Sequence, residues 1–561
     1  MGALVSLAAL GAGCAAQAQG ATPGQVAPPT LQPDRPPTAA TPLTPSGPAT
    51  PPTEGANLTV EVLEVIVENG RPELAPATAA LIRPFEGRRA TVDELYKLAG
   101  DLEAAYARSG FVLVRVVVPP QTLRDGATVR LTVVDGFIEA VDVRGPEDVA
   151  GPVRRRAQRL VGQRGLTLAQ IERPLLLASA LPGVEVRSTL TAGEQPGGAR
   201  LILEVSHNGV SGGVSADNRL GEEYGSWELN GEVALNGVFG HAEQIYVSAT
   251  ARPDGDGFDA GAPRRVIGAG FSAPLGLDGL RFNAEATWVE TNPRPAPLAP
   301  RVRGEFDRVA LRLSYPILLR RTESLVVTGA FEGVDERQTA IDFASVLSLD
   351  KLRSLSVAFD WQRTTQDAQY AAGLTAEQGL DALGARNEAD VLASGIPFSR
   401  QGATPDFSKL SGDARGDWAI GSGFSFSAAF RFQASLSGSL PGAEHFDISG
   451  PDGLSALALG AVTGDSGVAG RLRFARPIAA GDAWITPYVY GAAAVAWLDQ
   501  PTAVEAARTN GFGYGLGVDL AGSVPGRDAE AFATLEFGKA DLDGSVADEW
   551  GVTLMLGLRF R

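Results

Sequence analysis

Two serine-centred stretches have the residue types and spacing of a nucleophilic site. Residues 209–213 (Gly-Val-Ser-Gly-Gly) fit the G-x-S-x-G pattern, in which the serine occupies a sharp turn between a strand and a helix. Residues 464–467 (Gly-Asp-Ser-Gly) resemble the serine turn of trypsin-like proteases, and His445 lies nearby in the sequence. The first stretch opens a predicted strand at a module boundary, and the second is a glycine-rich loop tip. Both are therefore predicted to be structural.

Metal and nucleotide chemistry have weaker sequence support. The three histidines, His207, His241 and His445, are scattered and lack the spacing of a metal site. The dipeptide at residues 538–539 (Gly-Lys) has neither a preceding phosphate loop nor a following serine or threonine. We predict a protein that is not an enzyme and that uses no metal or other cofactor.

The charge balance argues against a nucleic-acid partner. The formal net charge is -17, so no domain-wide basic excess is available to neutralise phosphates. Residues 154–156 are three consecutive arginines, which on a helix point in different directions and predict a solvated surface.

The N-terminal region reads as a targeting segment followed by a spacer. Residues 1–20 are predicted to be a signal peptide, with an Ala-x-Ala cleavage site at residues 16–18 but no basic start. A lipoprotein signal at residues 11–14 is the alternative, and the single cysteine, Cys14, falls within it. Residues 21–56 are rich in proline and are predicted to be a linker. A chain without other cysteines suits an oxidising compartment.

Two small α+β modules follow, at residues 57–136 and 137–208. Each shows nearly the same order of strand, two helices and two strands, and residues 91–94 and 167–170 form capping boxes that start helices. Pro174 should kink or split the last helix. The predicted strands cover residues 58–67, 111–118, 127–134, 137–143, 184–191 and 199–205.

Residues 209–561 alternate between apolar and polar residues. The final strand shows this best, because every second residue is large and apolar and the others are small or charged. Its apolar residues are Trp550, Val552, Leu554, Leu556, Leu558 and Phe560. A soluble sandwich would bury such a face, but the polar face recurs over the whole sheet and needs water, which a lumen supplies. All seven tryptophans lie in this part. We predict a transmembrane antiparallel β-barrel of about 16 strands, with long loops at residues 364–406 and 437–467.

The order of signal, linker, two modules and barrel resembles the outer-membrane translocators of two-partner secretion, the haemolysin secretion/activation (ShlB/FhaC/HecB) family with POTRA domains. The resemblance covers residues 58–561. The matching stretches are residues 84–87, 91–110, 119–121, 133–138, 181–184, 197–205, 315–318 and 320–321.

The resemblance implies a bacterial outer-membrane protein with POTRA modules in the periplasm. It also implies a monomer in contact with outer-membrane lipid, whose partner is an unfolded secreted exoprotein that is β-helical when folded. Exposed sheet edges would bind this client. The candidate client-binding residues are Phe111, Val112, Val114, Val116, Val184 and Val186. A barrel-assembly factor, or a porin or adhesin without a translocated client, remains the alternative. The family's plug helix is not recognisable in residues 21–56.

One motif of the resembled family is degenerate in this chain. The family's lumenal loop carries Gly-Pro-x-x-Val-Arg-Gly-Tyr, and its arginine pairs with an aspartate on a barrel strand. Here Gly450, Pro451 and Leu454 are followed by Ser455, and Tyr490 stands in the place of the aspartate. Because both charged groups are replaced together, we expect Ser455 to lie in the lumen without an ion pair.

Overall fold

A computed structural model describes residues 21–28, 57–254, 256–259, 261–297, 299–503, 505–543 and 549–560. The predicted signal peptide, Cys14 and residues 29–56 of the predicted linker lie outside these ranges. The chain forms two compact units, residues 35–207 and residues 208–561, and residues 21–28 belong to the second. Within the described ranges, no helix has both the length and the apolar character needed to cross a membrane.

Module 1 is a four-stranded sheet covered by helices. Its elements are β1 (Thr59–Glu68), α1 (Ala75–Ile82), β2 (Arg88–Thr91), α2 (Val92–Arg108), β3 (Arg115–Val117) and β4 (Ala127–Val134), with strand order β2-β1-β4-β3. The predicted capping box starts α2, because the Thr91 hydroxyl accepts from Glu94 N at 3.1 Å and the Glu94 carboxylate accepts from Thr91 N at 2.8 Å. Leu95, Leu98 and Leu102 then line the buried face of α2.

The predicted strand at residues 111–118 is mostly wrong. Only Arg115–Val117 form a strand. Phe111 N donates to Tyr106 O and Val114 N donates to Phe111 O, so the chain turns after α2 before it joins the sheet. The aromatic ring of Phe111 packs against the module core, and this contact favours the turn over an extended backbone.

Module 2 repeats this plan with three strands. Its elements are β5 (Phe137–Arg144), α3 (Glu147–Ala157), α4 (Leu168–Ser179), β6 (Val184–Ala192) and β7 (Gly198–His207), in the order β5-β7-β6. Of the two predicted effects of Pro174, a kink or a split, the split does not occur, since α4 continues through the proline. Burial of Ile171, Leu175 and Leu176 on both sides of the proline offsets the one lost main-chain hydrogen bond.

Modules 1 and 2 are joined by polar and main-chain contacts. The Arg164 guanidinium of module 2 donates to Asp135 O, at the end of module 1, at 2.9 Å. Leu168 N, in the first turn of α4, donates to Gly110 O at 2.7 Å. The second contact connects the start of α4 to the end of α2.

The second unit is a closed antiparallel barrel of 16 strands, as predicted. Its strands are β8 (Val210–Asp217), β9 (Glu228–Asn236), β10 (Gln244–Ala251), β11 (Arg264–Leu275), β12 (Leu280–Thr291), β13 (Val302–Arg320), β14 (Glu323–Ala340), β15 (Ser345–Thr364), β16 (Ala368–Gly379), β17 (Ser408–Ile420), β18 (Phe424–Ser435), β21 (Ser466–Ala475) continued by β22 (Ile478–Ala480), β23 (Ala483–Trp497), β24 (Arg508–Ser523), β25 (Ala529–Leu542) and β26 (Glu549–Phe560). Two short strands, β19 (Phe446–Asp447) and β20 (Thr463–Gly464), pair with each other in a loop. Pairing of β26 with β8 closes the ring.

The predicted apolar and polar faces are confirmed. Trp288 on β12 is 49% exposed on the outer face, while its neighbours Glu285 and Thr287 are buried on the inner face. On β26, Trp550 and Leu556 are exposed outward, whereas the Thr553 hydroxyl donates inward to Ser455 O at 3.3 Å. The inward contact fixes the register of the last strand.

Of the two predicted long loops, the first is too long and the second is confirmed. Residues 364–406 contain β16, and the loop itself runs only over residues 380–407, with a short helix α5 (Glu388–Ser394). The outward positions of β16 include Ala372, whose methyl group gives a weak hydrophobic signal. Residues 436–465 connect β18 to β21 and fold into the barrel.

The seam between the first and last strands is short. Main-chain pairing runs only from Met555 opposite Asp217 to Phe560 opposite Gly212. Beyond it, the Asn218 side chain donates to Val552 O and accepts from Leu554 N, both at 2.8 Å. An amide side chain therefore takes the place of the next main-chain pair.

Adjacent substitutions on β26 should differ by face. Leu556→Arg places a cation on the outer wall, which costs roughly 2 to 4 kcal/mol at the middle of a bilayer, whereas Met555→Arg faces the lumen beside Asp217 and should cost little. Heating each variant in detergent and finding the temperature at which its band shifts on a gel from the folded to the unfolded position measures the two losses. Equal losses for the two variants would contradict the assigned faces.

Candidate functional site

Both segments predicted to bind a client contain an edge strand, but most of the candidate side chains are buried. β3 and β6 are edge strands with one neighbour each in the described sheets. Phe111 and Val112 lie in the turn before β3, and the side chains of Val114, Val116, Val184 and Val186 are buried in the module cores. The exposed features of these edges are therefore main-chain groups, together with the outward side chains of Glu185, Arg187 and Thr189 on β6.

The loop of residues 436–465, here called the lumenal loop, is fixed at its base by one carboxylate. Asp465 accepts from Leu440 N at 2.5 Å and from Asp499 N at 2.7 Å, and it lies 3.4 Å from His445 Nε2. Burial opposes the charged form, but the His445 ring and these two amides hold the pKa of Asp465 below its usual value. Asp465 thus ties the loop base to the neighbouring loop after β23.

The tip of the lumenal loop is a compact turn. The Asp447 carboxylate accepts from Ser449 N at 2.8 Å and from Gly460 N at 2.9 Å. Gly450 has a φ of 96°, a value that favours glycine, and Pro451 follows it. Leu454 N donates to Ile448 O at 3.0 Å, and the Leu454 side chain is fully buried. These bonds present Ser455 to the barrel wall.

Ser455 joins a buried ion pair that belongs to the wall. Its hydroxyl hydrogen-bonds Glu536 on β25, accepts from Arg471 Nη1 on β21 at 2.7 Å and lies 3.1 Å from the Tyr490 hydroxyl. Arg471 Nη2 donates to Glu536 Oε2 at 2.5 Å. The expectation that Ser455 lies without an ion pair is therefore wrong. The charges are present on two barrel strands instead of on the loop and one strand.

Glycines on the wall make room for the aromatic part of this site. Tyr490 lies against Gly515 and Gly538, where any Cβ would meet its ring or hydroxyl. The Arg471 guanidinium stacks 3.6 Å above the Tyr490 ring centroid. Tyr488 donates to Glu536 at 2.7 Å. The wall residues thus hold both charged groups in place without help from the loop, and the loop adds the Ser455 hydroxyl.

The ion pair is buried, with side-chain exposures of 8% for Arg471 and 7% for Glu536. A buried ion pair adds little net stability by itself, but removal of one partner leaves an uncompensated charge. Ser455 and Tyr488 satisfy further lone pairs of the Glu536 carboxylate. The site therefore specifies one position of the loop.

Residues 21–28, predicted to be part of a linker, pack inside the barrel unit. Tyr224 donates to Ala21 O at 2.7 Å, Arg264 Nε donates to Val26 O at 3.1 Å, and Arg308 donates to Pro28 O at 3.0 Å. The Val26 side chain is buried beside Tyr224. Inward arginines that need acceptors, together with an apolar pocket for Val26, explain why this segment is not a spacer.

Neither serine motif has the geometry of a catalytic triad. Ser211 lies in β8 and accepts from the Asn236 side chain at 3.3 Å. Ser466 opens β21 and accepts from Ser435 N at 2.9 Å, whereas His445 contacts Thr463 and Asp465. In the described part of the chain, no three histidine, cysteine or acidic residues are grouped as metal ligands.

Sequence reasoning missed Arg471 and Glu536. Each alternates with outward apolar residues on its strand, so an inward charge was readable at each position. Their pairing was not readable, because 65 residues separate them along the chain. Listing the positively and negatively charged residues at inward strand positions would have indicated that ion pairs form in the lumen.

Comparison with known families gives two matches. Residues 197–518 match the model of the haemolysin secretion/activation protein ShlB/FhaC/HecB, and residues 62–136 match that of the POTRA domain, ShlB-type. The first match spans more than half of the chain.

Curated relatives and solved structures agree with these matches. The outer membrane transporter CdiB of Dickeya dadantii is 23% identical over 56% of this chain and 55% of its own, and the heme/hemopexin transporter protein HuxB of Haemophilus influenzae is 20% identical over 33% of each. The chain thus spans about half or less of the length of these relatives. The structure of CdiB from Escherichia coli is similar in fold, with a TM-score of 0.68, 19% identity and coverage of 93% of this chain and 94% of that chain.

Arg471→Ala should destabilise the barrel more than Ser455→Ala. The first variant leaves Glu536 buried without its cation, a loss of roughly 3 to 5 kcal/mol, whereas the second leaves the ion pair intact and removes hydroxyl bonds worth roughly 1 to 3 kcal/mol. Heating each purified variant in detergent and recording the temperature at which its barrel unfolds measures both losses.

A double variant controls for the charge. Arg471→Ala combined with Glu536→Ala should recover part of the loss of Arg471→Ala, because no uncompensated carboxylate remains. If Ser455→Ala is as damaging as Arg471→Ala, or the double variant recovers nothing, the ion pair does not fix this site.

Proposed function

The chain belongs to the haemolysin secretion/activation family, ShlB/FhaC/HecB, and we propose that it is an outer-membrane transporter that captures an unfolded exoprotein in the periplasm and conducts it outward through its barrel. The observation that carries the proposal is the presence, in one chain, of modules with open sheet edges and of a closed barrel with a polar lumen. The first supplies a binding surface for extended chain, and the second a path across the membrane.

The barrel lies in the outer membrane and the POTRA modules lie in the periplasm. Barrels of this kind have short periplasmic turns and longer external loops. The turns after β13, β15 and β17 are short, and the long loops of residues 380–407 and 436–465 lie at the opposite end. The short-turn end is therefore the periplasmic end.

Client capture in this proposal uses main-chain hydrogen bonds. An extended peptide that pairs with an edge strand is bound through its backbone, so many sequences are accepted and neighbouring side chains add selectivity. β6 offers nine residues and β3 only three, so β6 is the main docking edge. The buried valines shape these strands, and Glu185 and Arg187 flank the bound chain.

Passage through the barrel requires the lumen to clear. Residues 21–28 and the lumenal loop both occupy it, so a client passes only when they move aside. A closed barrel of this size admits an extended chain more readily than a folded domain. The client is accordingly unfolded in transit. The resemblance to the family implies that the client becomes β-helical outside and that the transporter acts as a monomer.

The alternatives fit less well. A porin has an open lumen, whereas residues 21–28 and the lumenal loop occupy the lumen of this barrel. An adhesin would not need edge strands in periplasmic modules. An assembly factor also has POTRA modules, but the matched curated relatives are named transporters. These names favour transport over assembly.

Deletion of residues 57–208 should abolish secretion and leave an inserted barrel. Capture resides in the modules and conduction in the barrel, which are separate compact units. Release of the exoprotein into the medium is measured beside the heat-modifiability of the truncated barrel. Normal secretion by a correctly inserted truncation would rule out capture by the modules.

A photo-crosslinking residue at Thr189 should capture the client during secretion, and one at Arg155 should not. Thr189 is exposed on the edge strand β6, whereas Arg155 is exposed on α3, on the helical layer of the same module. The matched positions separate docking at the edge from general proximity. Equal crosslinking at both would exclude β6 as the docking edge.

A further inference from the structure

The outer wall of the barrel carries a depression where four small residues meet on three neighbouring strands. Ala372 on β16 is opposite Ala414 on β17, and Gly416 on β17 is opposite Ala428 on β18. The four share the outward face, because Ala372 is also opposite the outward residue Trp361 on β15. Two adjacent pairs of small residues on three strands leave an open space on the outward face here.

Aromatic side chains wall this depression, here called the outer groove. Trp361 and Tyr370 stack with centroids 6.5 Å apart, and Tyr370 meets Trp418 edge-on at 5.8 Å. The Trp418 ring folds over Gly416, where any Cβ would meet it, and Phe430 closes the far side. The groove has a volume of about 510 Å³ and an almost entirely apolar lining. That volume lies in the range of sites that hold small ligands.

A cation and a carboxylate lie at the periplasmic end of the groove. Arg363 follows Trp361 by two residues on the outward face of β15, next to the short turn. It is directly opposite Glu323 on β14 and Tyr370 on β16. Glu323 accepts from Trp361 Nε1 at 3.0 Å, so the carboxylate is held at the rim. Tryptophan and tyrosine mark the level of the lipid head groups.

We propose that the outer groove is a specific site for an aminophospholipid of the periplasmic leaflet. One acyl chain lies over the four small residues, the phosphate contacts Arg363, and the head-group ammonium contacts Glu323. The adjacent opposite charges match a zwitterion that carries both a phosphate and a primary amine. The site is independent of client capture and of the lumenal loop.

The charges at the rim select this occupant among the others. A lipid with only an anionic head group meets Arg363 favourably but places its charge beside the Glu323 carboxylate. A quaternary amine has no N–H to donate to Glu323. A second protein chain needs an extended complementary surface, whereas the groove has a volume of about 510 Å³ and is bounded by the rings of Trp361, Trp418 and Phe430.

Native mass spectrometry of the full-length protein in detergent, titrated separately with phosphatidylethanolamine, phosphatidylglycerol and phosphatidylcholine, tests the site. We expect one phosphatidylethanolamine molecule to be retained at a concentration about tenfold lower than the concentration that either other lipid needs. The reason is that phosphatidylethanolamine makes one more favourable charged contact. Equal retention of the three lipids would overturn the proposal.

Filling the groove tests its location. Ala428→Phe should remove the preferential retention, whereas Ala286→Phe, an outward alanine on β12 far from the groove, should leave it unchanged. Both add an apolar ring to the lipid-facing wall, so both should insert and fold. Equal retention by the two variants, or a protein dimer that only Ala428→Phe abolishes, would contradict a lipid site.

The head-group contacts are tested one by one. Arg363→Ala should weaken retention of both phosphatidylethanolamine and phosphatidylglycerol. Glu323→Gln keeps an acceptor for Trp361 but removes the charge, so it should abolish the preference for phosphatidylethanolamine over phosphatidylglycerol. If Glu323→Gln leaves that preference intact, the ammonium contact is wrong.

Discussion

A bilayer offers no water to satisfy main-chain N–H and C=O groups, so a sheet that crosses it has to close on itself. The rest of the barrel unit follows from this constraint. Each strand turns one face to lipid and the other to the lumen, which produces the period of two in residues 209–561. Where β26 and β8 pair only briefly, the Asn218 side chain supplies the next two hydrogen bonds. Closure is thus completed by an amide side chain where the main-chain pairing is short.

Closure also creates an interior in which polar groups need partners. Arg264 is paired with Glu228 and donates as well to Val26 O, so an N-terminal segment completes its coordination. Arg471 on β21 forms an ion pair with Glu536 on β25, and both side chains hydrogen-bond the Ser455 hydroxyl of the loop. Segments that enter the lumen are therefore held by polar groups of the wall that have remaining bonding capacity.

How well the fold could be predicted depended on the range of the interactions. Alternation is a local signal, and it located the faces of strands such as β12 and β26. It failed where outward residues are small, as at Ala372 in β16, and where a tertiary contact redirected the backbone, as at Phe111. The anchor of the lumenal loop was missed for a different reason. A serine gives no sign that an arginine and a glutamate from two distant strands converge on it.

The location of the charges decides how easily the lumenal loop is released. In the arrangement of the resembled family, the loop carries the arginine, so withdrawal of the loop separates an ion pair and leaves a charge behind. Here both charges are on the wall, and withdrawal of Ser455 leaves Arg471 paired with Glu536. The loss is then the hydrogen bonds of one hydroxyl, roughly 1 to 3 kcal/mol, instead of the roughly 3 to 5 kcal/mol of a broken buried pair. A wall-borne pair therefore keeps the loop in one position at rest and lowers the free energy needed to withdraw it from the lumen.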